Sequence, residues 1–308
     1  MFQKSQGIYA LIVLVCFTAR AGNLPFDNSG VATVEGIQIH YRLWEVEGRP
    51  ARGSVFLVHG FAASTISWDQ VADSLNQTGY EVVAVDVPPF GYSDKSHRMN
   101  QSITAHARRF HQLIQEVFPG REWHMAGHSM GGGIVQAYAL MYPDDLLCVT
   151  FVAASLFDKL PGTPHAVNPL LRFSTVRFVI GEVARVWYIG PRRVESLLAS
   201  AYGIEPTKEQ VSGYLQPLLA PGMAMALLSS AFHYFEIADL DASGLQIPAL
   251  AIWGDSDNWV PHKSRQHILK KMPETELILL NGAGHIPMET HPEDFMQAWL
   301  PFIRQCRR

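Results

Sequence analysis

Six short apolar runs alternating with helical stretches constrain this chain more than any other feature. They are "SVFLVHG" (54–60), "EVVAVD" (81–86), "EWHMAG" (122–127), "LLCVTFVAAS" (146–155), "PALAIWG" (248–254) and "TELILL" (275–280). Each is continuously apolar rather than alternating, which suits a strand buried on both faces. Between them lie segments with helical apolar spacing: Trp68 to about Gln77, 103–118, Met130–Met141, a stretch near 262–272, and Pro292 to Gln305. Gly79, Pro119-Gly120 and Pro143 close the first three. This rhythm predicts an α/β fold, a mostly parallel central sheet flanked by helices. Upstream, "VATVEGIQIHYRLWEV" alternates apolar and polar residues about Glu35-Gly36, the pattern of a β-hairpin.

The rhythm breaks once. Residues 156–246 carry no strand pattern, are rich in Leu, Met, Phe and Tyr, and are punctuated at Gly181, Gly190-Pro191, Gly203, Pro217 and Pro221-Gly222. The expectation is a helical lid over the strand ends, inserted before the fifth run into a core made of 22–155 and 247–308.

The start of the chain is different again. Lys4 precedes an apolar run from Ile8 to Phe17, and Ala19-Arg20-Ala21 follows it. That charged, apolar and small-residue layout predicts a secretory signal peptide over 1–21, cleaved after Ala21, and hence a periplasmic or secreted protein. The run is short of the roughly 20 residues a membrane span needs, so no stable membrane insertion is expected after cleavage. An uncleaved anchor is the alternative. The formal charge of −4 becomes two units more negative without Lys4 and Arg20, which argues against nucleic acid as a partner. There is no repeat or low-complexity tract. Of the three cysteines, Cys16 falls in the signal segment, Cys148 in an apolar run and Cys306 in the tail. Their spacing gives no geometric support for a Cys148–Cys306 bridge.

Gly127-His128-Ser129-Met130-Gly131 is G-x-S-x-G, set between an expected strand and an expected helix. A serine on so sharp a turn is held in a strained backbone, so its neighbours must be small. The turn aims the hydroxyl away from the sheet and brings the Met130 amide to a helix N-terminus. A serine hydroxyl needs a base, and thirteen histidines are available. His285 is the best placed, in the glycine loop "NGAGHIPMETHPEDF" just after the last strand. His128 is expected to project elsewhere from the tight turn. The base needs a buried acceptor in turn. "IWGDSDNWVP" offers Asp255 and Asp257; Asp257, separated from Val-Pro by two residues, sits one turn into the loop, which leaves Asp255 to cap it. The second donor for a developing oxyanion is expected from the loop "HGFAAS", at the Phe61 amide, beside that of Met130.

At these residues the chain resembles the lid-bearing α/β-hydrolases, over about Val34 to Phe302. "VHGFAAS", "VDVPPFGYSD", "GHSMGGG", "WGDSDNWVP" and "GAGHIPMETHPEDF" occur in that family's order. The resemblance implies a serine hydrolase of carboxylesterase or lipase type, with Ser129, Asp257 and His285 as catalytic residues. Members with an aspartate nucleophile, the epoxide hydrolases and dehalogenases, are excluded in that form by Ser129. Two departures are visible. Pro88-Pro89 stands where the family loop usually reads Pro-Gly, and the comparable members are mostly cytoplasmic.

No zinc spacing, phosphate loop or dinucleotide fingerprint is present, so no cofactor and no metal are expected. The expected partner is a small-molecule apolar ester, since "PGMAMALLSSAFHYFEI" and "ARVWYIG" supply flexible and aromatic apolar surface. Two other readings stay open. One is a carbon–carbon bond hydrolase of ring-fission products, whose substrate carboxylate would use arginines among Arg172, Arg177, Arg185, Arg192 and Arg193. The other is a hydrolase fold kept as a non-catalytic binding protein. The sequence leaves the oligomeric state open.

Overall fold

The computed structural model describes residues 24–157, 189–233, 241–272 and 274–307. The expected signal segment, and residues 158–188 and 234–240 of the expected lid, lie outside the described residues. Eight strands form one sheet: β1 (Ser29–Val34), β2 (Ile37–Trp44), β3 (Ser54–Val58), β4 (Glu81–Val85), β5 (Trp123–His128), β6 (Leu146–Val152), β7 (Ala249–Gly254) and β8 (Glu276–Leu280). Their spatial order is β1-β2-β4-β3-β5-β6-β7-β8. β2 runs antiparallel to both neighbours, and every pairing from β4 to β8 is parallel. The hairpin turn falls at Glu35-Gly36, both in the left-handed region.

The central strands β3, β5 and β7 are buried along their whole length because helices cover both faces. β8, expected to be buried, instead lies at the sheet edge and leaves Leu279 43% exposed. In β3, Phe56 and Val58 point to one core, and Val55 and Leu57 to the other. The first core is closed by α2 (Ile103–Val117) and α3 (Met130–Met141), through Phe110, Leu113, Ile134 and Tyr138. The second is closed by α1 (Asp69–Gln77) and the C-terminal helix (Pro292–Gln305), through Val71, Leu75, Phe295 and Trp299.

The described part of 156–246 is helical: α4 (Pro191–Tyr202), α5 (Lys208–Leu218) and α6 (Met223–His233). A capping box at Thr207 and Gln210 opens α5, while Gly203, left-handed at φ 75°, closes α4. Pro217, read from sequence as a breaker, falls in the last turn of α5, which ends one residue later. The helix expected near 262–272 is shorter than its pattern: a 3₁₀ turn at His262–Arg265 runs into α7 (Gln266–Leu269). Two helices follow β8, α8 (Pro287–Thr290) and the C-terminal one, α9 (Pro292–Gln305).

Trp299 fastens α9 to the sheet. It is fully buried beside Phe295, and its indole N–H donates to Thr150 Oγ1 on β6 at 2.8 Å. Trp299→Ala removes both the packing and the hydrogen bond. It is expected to lower the free energy of unfolding by about 3–5 kcal/mol in urea titrations; a loss under about 1 kcal/mol would mean that α9 does not depend on this anchor.

Candidate active site

Ser129 sits where β5 turns into α3, with φ 50° and ψ −116°. That conformation is strained for a residue with a side chain and persists only where the surroundings over-determine it. Here they do. The Ser129 amide donates to Val152 O at 2.9 Å, and its carbonyl accepts from the amides of Gly132 (3.0 Å) and Ser155 (2.9 Å). The flanking glycines are sterically required. A Cβ on Gly127 would lie 2.3 Å from Gly131 O, and one on Gly131 2.3 Å from Val58 O on β3.

The three residues chosen from sequence meet at this turn. His285 Nε2 lies 3.0 Å from Ser129 Oγ, and His285 Nδ1 lies 2.9 Å from Asp257 Oδ2. The other oxygen, Asp257 Oδ1, accepts from the amides of Trp259 (2.8 Å) and Val260 (2.9 Å). Burial pushes the Asp257 carboxyl up, but the His285 bond and these two amides outweigh it and hold the group below the usual carboxylate range. An ionised Asp257 accepts from Nδ1–H, which leaves the Nε2 lone pair facing the serine hydroxyl. Asp255 caps the loop as expected, its Oδ1 accepting from Gly282 N at 2.9 Å.

The loop after β3 reaches the serine. A Cβ on Gly60 would lie 3.1 Å from Ser129 Cβ, so the Gly60–Phe61 peptide begins against the elbow. The Phe61 amide has no backbone acceptor among the described residues. Met130 opens α3, so its amide is one of the donors a helix N-terminus leaves unpaired. The Phe61 ring packs against Phe90 at 5.0 Å and is 56% exposed.

Several supporting residues escaped the sequence reading. Asp86, fully buried after β4, accepts from the amides of Thr65 and Tyr92 and from His40 Nδ1, each at 2.7 Å. It thereby ties the loop after β3 to the loop after β4. His59 does related work: Val87 N–H donates to its Nε2 at 2.9 Å, so Nδ1 carries the proton and donates to Gly60 O at 2.7 Å. His128 departs from expectation. Its ring does not leave the site but lies 4.9 Å from the His285 ring, and Nε2–H donates to the His285 carbonyl at 2.9 Å. Burial holds His128 neutral, with its pKa down at about 3. Trp259 stacks on His285 at 5.6 Å and 24°. The only signal for these roles was adjacency to the motifs.

The insert also grips the histidine loop. The His285 amide donates to Ala201 O on α4 at 2.6 Å. Four residues on, half-buried Glu289 accepts from the hydroxyls of Tyr202 (α4) and Tyr214 (α5), each at 2.5 Å. Burial pushes the Glu289 carboxyl up to about 7, against the opposing effect of the two tyrosines.

A mostly parallel sheet with a strained serine between strand and helix, hydrogen-bonded to a histidine that is itself held by an aspartate, both on later loops, defines an α/β-hydrolase. The family described as Hydrolase_4, serine aminopeptidase S33, matches residues 49–291, and the chain belongs to it. Lipase 1 of Psychrobacter immobilis is 28% identical over 248 residues, covering 78% of this chain and 74% of that protein. The 2-hydroxy-6-oxononadienedioate/2-hydroxy-6-oxononatrienedioate hydrolase of Burkholderia vietnamiensis is 23% identical over 286 residues, covering 87% and 92%. Among solved structures, a thermophilic esterase from Thermogutta terrifontis shares the fold with TM-score 0.68, at 20% identity over 91% of this chain and 99% of that one.

Glu289 makes stability depend on pH. Folding raises its pKa from 4.5 to about 7, so the native state holds this proton more tightly than the unfolded chain. The Glu289 contribution is therefore fully present below pH 4.5 and is lost as pH rises to about 7. Glu289→Gln, which cannot titrate, is expected to flatten the unfolding free energy over that interval in chemical denaturation at stepped pH. An unchanged slope in the variant would refute the assignment.

Proposed function

We propose that this chain hydrolyses carboxylic esters through a Ser129 acyl-enzyme. One observation carries the reading: an unbroken hydrogen-bond chain from Ser129 through His285 to Asp257, starting at a strained turn on a helix N-terminus. Ser129 Oγ attacks the ester carbonyl while His285 Nε2 takes its proton. The developing oxyanion accepts from the amides of Phe61 and Met130, each such donor being worth about 3–4 kcal/mol. His285 then hands the proton to the leaving alcohol. Water, activated by the same Nε2, frees the acid and restores the serine. Asp257 stays ionised throughout and steadies the imidazolium.

Apolar or medium-chain acyl groups suit the rim. Phe61 and Trp259, 56% and 47% exposed, flank the elbow and the base with aromatic surface. The likeness to the Psychrobacter lipase supports ester chemistry. The helical insert is proposed to act as the lid of this cleft. A second reading, cleavage of a carbon–carbon bond in a ring-fission product, draws on the Burkholderia relative. Of the arginines it could use, Arg192 and Arg193 lie in the exposed first turn of α4, and Arg172, Arg177 and Arg185 lie outside the described residues. No helix among the described residues is long and apolar enough to cross a membrane. Residues 1–21 are proposed to direct export and to be removed.

A fluorophosphonate is expected to label wild type and to leave Ser129→Ala unlabelled. The variant should hydrolyse p-nitrophenyl esters slower by about 10³-fold or more. Labelling that persists in Ser129→Ala would sink the mechanism. A chain-length series of these esters, run beside a dienone ring-fission substrate, ranks the two reactions. For export, N-terminal sequencing of protein from the periplasm or medium should begin at Gly22, and a start at Met1 refutes cleavage.

A further inference from the structure

Beneath the sheet's amino-terminal edge lies a second cluster of reactive side chains. His124 on β5 is the register partner of Cys148 on β6, and its Nδ1 lies 3.2 Å from Cys148 Sγ. Cys306, just past the end of α9, completes the group. The three donor atoms lie within 4.8 Å of one another, and both thiols are free. His124 is the second residue of β5 and Ser129 follows its last, so the cluster is about 16 Å from the elbow at the strand rise per residue. It has no part in the proposed acyl transfer.

We propose that Cys148 and Cys306 are a redox-active pair, closed into a disulfide by a low-molecular-weight disulfide oxidant, which fastens α9 to β6. The approach for the oxidant is at Cys306, 6% exposed, while Cys148 behind it is 1% exposed. Cys306 lines a surface groove of about 640 Å³, together with Leu147, Pro248, Phe302 and Arg307. The two thiols are also unequal. The hydrogen bond from Cys148, aided by His124, holds the Cys306 thiol down at about 6, while burial drives Cys148 up. Cys306 is therefore the attacking thiolate, and Cys148 the resolving group.

The exchange balances as follows. The Cys306 thiolate attacks one sulfur of R–S–S–R, forming Cys306–S–S–R and releasing RS⁻, which takes a proton from solvent. Cys148, giving its proton to His124 Nδ1, then attacks the Cys306 sulfur and expels the second thiol. Two protein thiols are oxidised by two electrons, and one external disulfide is reduced to two thiols. The same donors could grip a thiophilic cation. A structural zinc draws four ligands, however, and only three gather here among the described residues. The crosslink would enclose the insert, Asp257 and His285 in one covalent loop, which restricts the unfolded chain most strongly when the loop is long.

The test uses the full chain, reduced, freed of reductant and incubated with oxidised glutathione. Peptide mass spectrometry after alkylation should find Cys148 and Cys306 joined, with the loss of two hydrogen masses and no alkyl adduct on either. The melting temperature should exceed that of the reduced protein by about 5 °C or more. Cys148→Ala should stop at a single glutathione adduct on Cys306, and Cys306→Ser should yield neither adduct nor crosslink. His124→Gln, which keeps a polar side chain, should accumulate the mixed disulfide by slowing the second step. Two results would overturn the proposal: both thiols staying fully alkylatable in folded wild type after prolonged oxidation, or stoichiometric zinc retained by the reduced protein that blocks their alkylation.

Discussion

The approach of α3 to the ends of β3 and β5 is the contact on which the rest of the site depends. With Gly127 facing Gly131 O and Gly131 facing Val58 O, no side chain fits between helix and sheet. That closeness drives the Ser129 backbone into its left-handed conformation, and the bond from its amide to Val152 O holds it there. Everything else then falls around a serine that has little freedom. The loop after β3 passes beside it at Gly60, and the histidine loop after β8 meets its hydroxyl. Strain at one residue is sustained by two strands and a helix, the usual condition for a backbone outlier at a functional site.

A comparison within the chain shows why the turn matters more than the hydrogen-bond sequence. Ser29, His40 and Asp86 form their own serine–histidine–carboxylate chain, with Ser29 Oγ 2.8 Å from His40 Nε2 and Asp86 Oδ2 2.7 Å from His40 Nδ1. Asp86 and Asp257 are even built alike, each accepting from one histidine and two backbone amides. Yet Ser29 lies in β1, an extended strand, and its hydroxyl accepts from Phe26 N–H at 3.2 Å. The chain runs from β1 into β2 and not into a helix whose N-terminus would meet a negative oxygen. The same side chains that would move a proton at Ser129 serve at Ser29 to bind the first strands to the loop after β4.

How much of this the sequence disclosed follows from how local each constraint is. The elbow was legible because its steric demand falls on five consecutive residues, and Asp257 because the two-residue spacer before Val-Pro set its place in the loop. The covering of both sheet faces was legible from continuously apolar strands. Asp86, His128 and Glu289 were not, because their roles come from segments far apart in the chain: His128 meets His285 O, and Glu289 meets Tyr202 and Tyr214. The nearness of Cys148 to Cys306, which the sequence left open, depends in the same way on where α9 ends over β6. The shortness of α7 had no signal at all in an apolar spacing that continued past it.

These long-range contacts bear on what the insert does. The backbone of His285 is held from both sides: its amide by Ala201 O on α4, its carbonyl by His128 of the elbow. Glu289 extends the first grip to α5 through Tyr214. Helices α4 and α5 of the insert are therefore part of the mounting of the base. A large displacement of α4 would break the bond to the His285 amide and leave a buried donor unpaired, at a penalty of about 1–3 kcal/mol. Any motion of the insert that keeps the base mounted is thus restricted to segments that do not carry Ala201. Two hydrogen bonds of α6 run instead to the segment before α2: Ala226 O accepts from Gln101 Nε2, and Ser229 Oγ donates to His97 O.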